Sequence, residues 1–136
     1  LRMERHCDNA EALAQRLAQR LGDAAVRYPG LPADPGHELA ARQQDRFGGL
    51  LAFELPGGRE TAFRFVNALR IPTITANLGD AKSTVTHPAS TTHARVSEAE
   101  RAAGGVTEGL VRISAGLEST ADLEADVVQA LEAAGL

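Results

Sequence analysis

The chain has 136 residues, of which 43% are hydrophobic and 24% charged, and a formal net charge of −4. That size and balance describe one folded domain with an ordinary core, not a disordered segment. They exclude a general nucleic-acid binder, which needs a basic face, and no apolar run approaches the roughly 20 residues that span a bilayer.

Met3, Cys7, Ala10, Leu13, Leu17 and Leu21 fall on one face of a 3.6-residue period, which predicts a helix over residues 1–22 with Gly22 as its stop. The helix opens with no N-cap or lead-in, so it reads as part of something longer; at ~1.5 Å per residue it is long enough to link two domains. Ala24–Tyr28 is a short strand candidate ending in a two-proline turn, Tyr28 to Pro32. Asp34 and Pro35 are then expected as N-cap and first-turn proline of a helix over His37–Gln44. Leu50–Leu55 reads as an apolar strand, broken by Pro56-Gly57-Gly58. A helix over Arg59–Leu69 turns Ala62, Phe65, Val66 and Leu69 inward. Pro72–Ala76 and Thr84–His87 are short extended runs, the second stopped by Pro88. Ser97 and Glu100 have the spacing of a capping box for the next helix. Leu110–Ser114 is a strand. Ser119 or Thr120 caps a last helix, in which Leu123, Val127, Ala130 and Leu131 share a face. This α-β-α-β-α-β-β-α-β-α order predicts a two-layer α/β (α+β) sandwich, a small, mostly antiparallel sheet with helices on one face.

The chemistry is sparse. A single cysteine, Cys7, rules out an internal disulfide and a cysteine-based zinc cluster, suits a reducing cytoplasm, and reads as a small core side chain. A single lysine, Lys82, stands against thirteen arginines and sits in a polar loop with no apolar pocket to activate it. Arg112 is different, because it interrupts an otherwise apolar strand. It either snorkels to water or serves as a fork for a carboxylate or phosphate. The hydroxyl-rich stretch Asn77–His93 offers donors nearby, although such residues also satisfy their own loop backbone. His87 and His93 match no zinc spacing. Ser90, His93 and Asp80 can be written as a triad, but without the nucleophile-elbow context of a serine hydrolase.

Leu1–Leu17, Tyr28–Gln44, Phe47–Leu69, Asn77–Ser97 and Gly109–Leu131 resemble, in order, the C-terminal part of the Cys/Met-metabolism enzymes that use pyridoxal 5'-phosphate (PLP). The segments His87–His93 (HPASTTH) and Val111–Glu118 (VRISAGLE) are the most specific. Arg2–Ala10, His37–Gln44 and Thr73–His93 look most like the O-succinylhomoserine sulfhydrylase branch. The resemblance implies the C-terminal domain of a fold-type-I PLP enzyme: residues 1–22 as an inter-domain linking helix, 23–136 as the domain that binds the substrate carboxylate. The large domain that binds PLP, with its Schiff-base lysine, would lie outside the segment, so the segment alone is expected to be inactive. By the same resemblance Arg112 holds the substrate α-carboxylate. Asn77 and Leu78 occupy the loop that approaches it, Asn77 replacing a frequent serine, and Thr92 lies near the substrate. Ala76 stands where cystathionine γ-lyases carry a glutamate, which argues against a distal ammonium. The implied activity joins a homoserine ester to sulfide, giving homocysteine for methionine biosynthesis in a cytoplasmic homotetramer. The implied partners are an amino-acid substrate, the large domain and neighbouring subunits. The competing expectations are another trans-sulfuration enzyme of the same family (a cystathionine γ-synthase, a γ-lyase or a methionine γ-lyase) or, for the isolated segment, a non-catalytic interaction domain.

Overall fold

The computed structural model describes residues 1–136. Its elements are α1 (Arg2–Leu21), β1 (Val26–Arg27), α2 (His37–Gln43), β2 (Leu50–Glu54), α3 (Gly58–Ala68), β3 (Thr73–Ile74), β4 (Thr84–Thr86), α4 (Glu98–Ala103), β5 (Leu110–Ser114) and α5 (Thr120–Ala134). The strands form one sheet in the order β1-β2-β5-β4-β3, antiparallel except for the parallel pair β3 and β4.

The two-residue period of the strands divides the sheet into two faces. Leu51 and Phe53 of β2, Val85 of β4, and Val111 and Ile113 of β5 point into the core. They meet Leu13 and Leu17 of α1, Ala62 and Phe65 of α3, and Val127 and Leu131 of α5. All of these belong to one cluster of 22 buried apolar residues, so α1 shares the core with the sheet. Phe53 and Phe65 meet edge to face, with ring centroids 5.4 Å apart. The opposite face carries Leu50, Ala52, Arg112 and Thr86.

Several local expectations are corrected by tertiary context. Residues 23–25 form a 3-10 turn, which leaves β1 only two residues long. Gly36, not Asp34, is the N-cap of α2; the Asp34 carboxylate instead accepts the Gly36 N–H at 2.8 Å, closing a turn around Pro35. Neither Ser119 nor Thr120 caps α5 with its side chain. The Thr120 hydroxyl donates to Asn9 Oδ1 at 2.6 Å instead. Met3 shares the α1 stripe but is 58% exposed, at an open cavity bordered by Leu50 and Ser114 of the sheet. The Ser97–Glu100 capping box forms in full. No helix is long and apolar enough to cross a membrane.

Candidate functional site

Arg112 occupies the middle of the central strand, opposite Ala52 on β2 and Thr86 on β4. Its neighbours Val111 and Ile113 point into the core, which puts the Arg112 side chain on the opposite face of the sheet. The β3–β4 pair is parallel, so the chain between them must run back alongside the sheet. That return brings residues 75–83 to the end of β5. Arg112 Nη2 donates to the Ala76 carbonyl at 3.1 Å.

Three arginines are half-buried: Arg16, Arg101 and Arg112. Arg16 pairs with Glu124 at 3.3 Å, and Arg101 with Glu108 at 2.9 Å. Arg112 has no carboxylate, only the Ala76 oxygen. A guanidinium withdrawn from water without an anion keeps a desolvation cost that a bound anion would offset. Most of its N–H donors remain free, in the fork geometry that suits a carboxylate.

The other residues singled out from the sequence lie at different distances from this centre. Asn77 and Leu78 follow Ala76 directly and are exposed. Asn77 N–H donates to Thr75 Oγ1 at 3.3 Å, and the Asn77 carbonyl accepts from Thr84 Oγ1 at 3.3 Å. The Leu78 side chain borders a cavity of about 480 Å³ with Met3, Leu50 and Ala115, and with the polar groups of Arg2, His6 and Ser114. That cavity lies beside Arg112, not over it. Thr92 is exposed, and its hydroxyl bonds its neighbour's ring nitrogen, His93 Nδ1, at 2.9 Å; no hydrogen bond joins it to Arg112. Thr86 and Thr91 share a hydrogen bond of 2.8 Å beside Arg112, and the Thr91 hydroxyl donates to the His87 carbonyl at 2.8 Å. The Thr86 hydroxyl is therefore the donor of that pair.

The Ser90, His93 and Asp80 side chains are not brought together. Ser90 Oγ lies 2.8 Å from His87 Nδ1, and His87 Nε2 lies 2.8 Å from the Glu108 carbonyl. A carbonyl only accepts, so Nε2 carries a proton and donates to Glu108, while Ser90 Oγ bonds Nδ1 and lies 3.4 Å from the His87 carbonyl. His87, 3% exposed, is thus a satisfied wall residue.

Glu108 closes the same wall. The Arg59 hydrogen bond at 2.6 Å, reinforced by Arg101, holds its carboxyl below the usual carboxylate range. A lowered folded value stabilises the fold above the unfolded value and is lost as pH falls through the folded one. The stability difference between wild type and Glu108→Gln should therefore be largest near neutrality and shrink below about pH 4. Urea midpoints across that range check it; a constant difference would contradict the pairing.

Ser83 belongs to the hydroxyl-rich stretch singled out from the sequence, but its Oγ serves Glu118 and the Gly116 N–H; sequence reading missed Ser114 and Glu118, which with it join the 75–83 segment to β5. The signal available was the alternation Arg112-x-Ser114-x-Gly116-x-Glu118, which gives every second residue one direction along an extended chain. No group of three or more His, Cys, Asp or Glu side chains is arranged to hold a metal. The lone amine, Lys82, is exposed and does not border the cavity beside Arg112. These residues do not by themselves fit a cofactor that needs an enclosed lysine.

The family model for Cys/Met metabolism PLP-dependent enzymes matches residues 1–132. The chain is 47% identical over 133 residues to an O-succinylhomoserine sulfhydrylase of Pseudomonas aeruginosa, covering 98% of this chain and 33% of that protein. It is 50% identical over 133 residues to an L-methionine gamma-lyase of Pseudomonas putida, with the same coverage of 98% and 33%. The crystal structure of a cystathionine gamma synthase from Xanthomonas oryzae pv. oryzae, in complex with aminoacrylate and cysteine, superposes with a TM-score of 0.90 at 44% identity, over 98% of this chain and 35% of that one. The chain thus spans about a third of the length of the curated relatives it matches.

Proposed function

Because the chain belongs to the Cys/Met-metabolism PLP-dependent enzymes, we propose that it is the substrate-carboxylate-binding domain of a sulfhydrylase that makes homocysteine from O-succinylhomoserine, or another homoserine ester, and sulfide. One observation carries this reading. Arg112 is the only half-buried arginine without a carboxylate partner, and it faces an open loop.

In this proposal two guanidinium N–H groups of Arg112 hold the α-carboxylate. The exposed Leu78 N–H, which bonds no other group of the chain, and the Asn77 amide add donors from the loop. Thr92 flanks the substrate. The grip fixes the amino acid by its acid end, so the reacting carbon is oriented without being touched by this domain. PLP, which supplies the electron sink for such reactions, is held by residues outside this chain. Residues 1–22 link the two parts and 23–136 form the binding domain of a cytoplasmic homotetramer.

Ala76 supports a substrate without a distal ammonium, in keeping with a homoserine ester. Similarity to the gamma-lyase at 50% identity supports elimination from methionine as the second reading. A hybrid enzyme separates the two. This chain replaces the corresponding third of the P. aeruginosa relative, and the products from O-succinylhomoserine with sulfide, and from methionine, are measured. Homocysteine formation is expected. A hybrid that binds PLP yet only eliminates, or does nothing, would overturn the sulfhydrylase reading.

A further inference from the structure

The two halves of the grip lie far apart in sequence, and something must hold them in register. The loop half is weakly anchored by apolar contact: residues 76–82 are all exposed, Leu78 among them although it borders the cavity with Met3 and Leu50. Its placement against β5 therefore depends on hydrogen bonds.

Those bonds converge on Glu118. Its Oε1 accepts the Ser83 N–H at 2.6 Å, and its Oε2 accepts the Ser83 hydroxyl at 2.9 Å. Ser83 is fully buried, and its Oγ in turn accepts the Gly116 N–H at 2.8 Å. The Leu117 N–H donates to the Ala81 carbonyl at 2.8 Å, and the Gly79 N–H to Ser114 Oγ at 3.0 Å. A Cβ at position 116 would fall inside contact distance of Ser83 N and Lys82 C, so the loop lies directly on the Gly116 backbone.

Glu118 is itself held from the other side. The side chain of Asn9, fully buried in α1, donates to the Gly116 carbonyl at 2.9 Å and to the Glu118 carbonyl at 3.0 Å. Glu118 makes no ion pair. Its two oxygens match the two donors of Ser83, whereas an amide in its place would offer one acceptor and present a donor to the other.

We infer that Glu118 is a positioning residue for the carboxylate grip: by clamping Ser83 it sets where Ala76–Leu78 stands over Arg112. This rests on the reading of Arg112 given above. The carboxylate touches neither substrate nor reacting atoms in this role. It acts through the loop.

The first test uses the 136-residue chain. In Glu118→Ala, amide hydrogen exchange at Gly79 and Ser83 should accelerate about tenfold or more, while Ile113 in the core keeps its protection. The second uses the hybrid enzyme. There Glu118→Ala should raise KM for the homoserine ester about tenfold with kcat changed less than about threefold, and Glu118→Gln should fall between it and wild type. An unchanged KM in Glu118→Ala, with a raised KM in Arg112→Ala, would overturn this inference and leave the Arg112 reading intact. An unchanged KM in Arg112→Ala would overturn the reading beneath it. Loss of protection at Ile113 as well would mark a purely structural role and overturn the inference. Should Glu118→Ala not fold, Ser83→Ala removes only the two bonds of the Ser83 hydroxyl, to Glu118 Oε2 and from the Gly116 N–H, and is judged by the same readouts.

Discussion

Arg112→Ala in the hybrid enzyme should cost about 2–5 kcal/mol of transition-state binding, roughly 30-fold or more in kcat/KM, expressed mainly as a higher KM for the amino-acid substrate. The size follows from the site. The guanidinium is half-buried on the central strand, and its one protein partner is a neutral carbonyl. A substrate carboxylate arriving there meets a half-buried side chain whose only partner is that carbonyl, so the pair forms partly shielded from solvent. Losing the cation leaves the carboxylate against Thr86, Thr91 and backbone. Arg112→Lys should recover only part of the loss, because an ammonium keeps the charge but not the two parallel donors. Steady-state kinetics of the three proteins measure this. Values near wild type in Arg112→Ala would remove the residue from the site.

Phe65→Ala should lower the unfolding free energy by about 3–5 kcal/mol. Phe65 is fully buried on α3 and meets Phe53 of β2 at 5.4 Å with the rings nearly perpendicular. The void left by its ring would be hard to refill. Only 4% of the chain is aromatic, with no tryptophan, and neighbours such as Ala62 and Ala130 are too short to reach across. The edge-to-face contact adds to the loss of buried area. Against the total of about 5–15 kcal/mol that holds a typical domain, such a loss would leave the fold marginal. Denaturant titration should show a lower midpoint with an unchanged slope. A loss under about 1 kcal/mol would mean that the layer between sheet and helices repacks far more freely than close-packed interiors do.

Elements whose cause is local were legible in the sequence. Leu110–Ser114 forms with the expected bounds because apolar alternation sets it, and the Ser97–Glu100 box forms because its partners are three residues apart. Long-range contacts produced the departures. Thr120 gives its hydroxyl to Asn9, 111 residues away, instead of capping its own helix. Met3 continues the core stripe but borders an open cavity instead of the packed core. In the site, Arg112 stood out because a charge in an apolar strand needs a reason. The Ala76 carbonyl and the Ser83–Glu118 clamp did not, because the parallel return from β3 to β4 brings them to β5, and no spacing within one segment encodes that.

Both border strands of the sheet, β1 and β3, are two residues long. So short a margin offers an incoming strand almost no ladder to extend, although Ile74 at the β3 margin is 57% exposed. Copies of this domain are therefore discouraged from stacking edge to edge into fibrils, and any stable union must be made broadside, through side chains on the flat of the sheet or the backs of the helices.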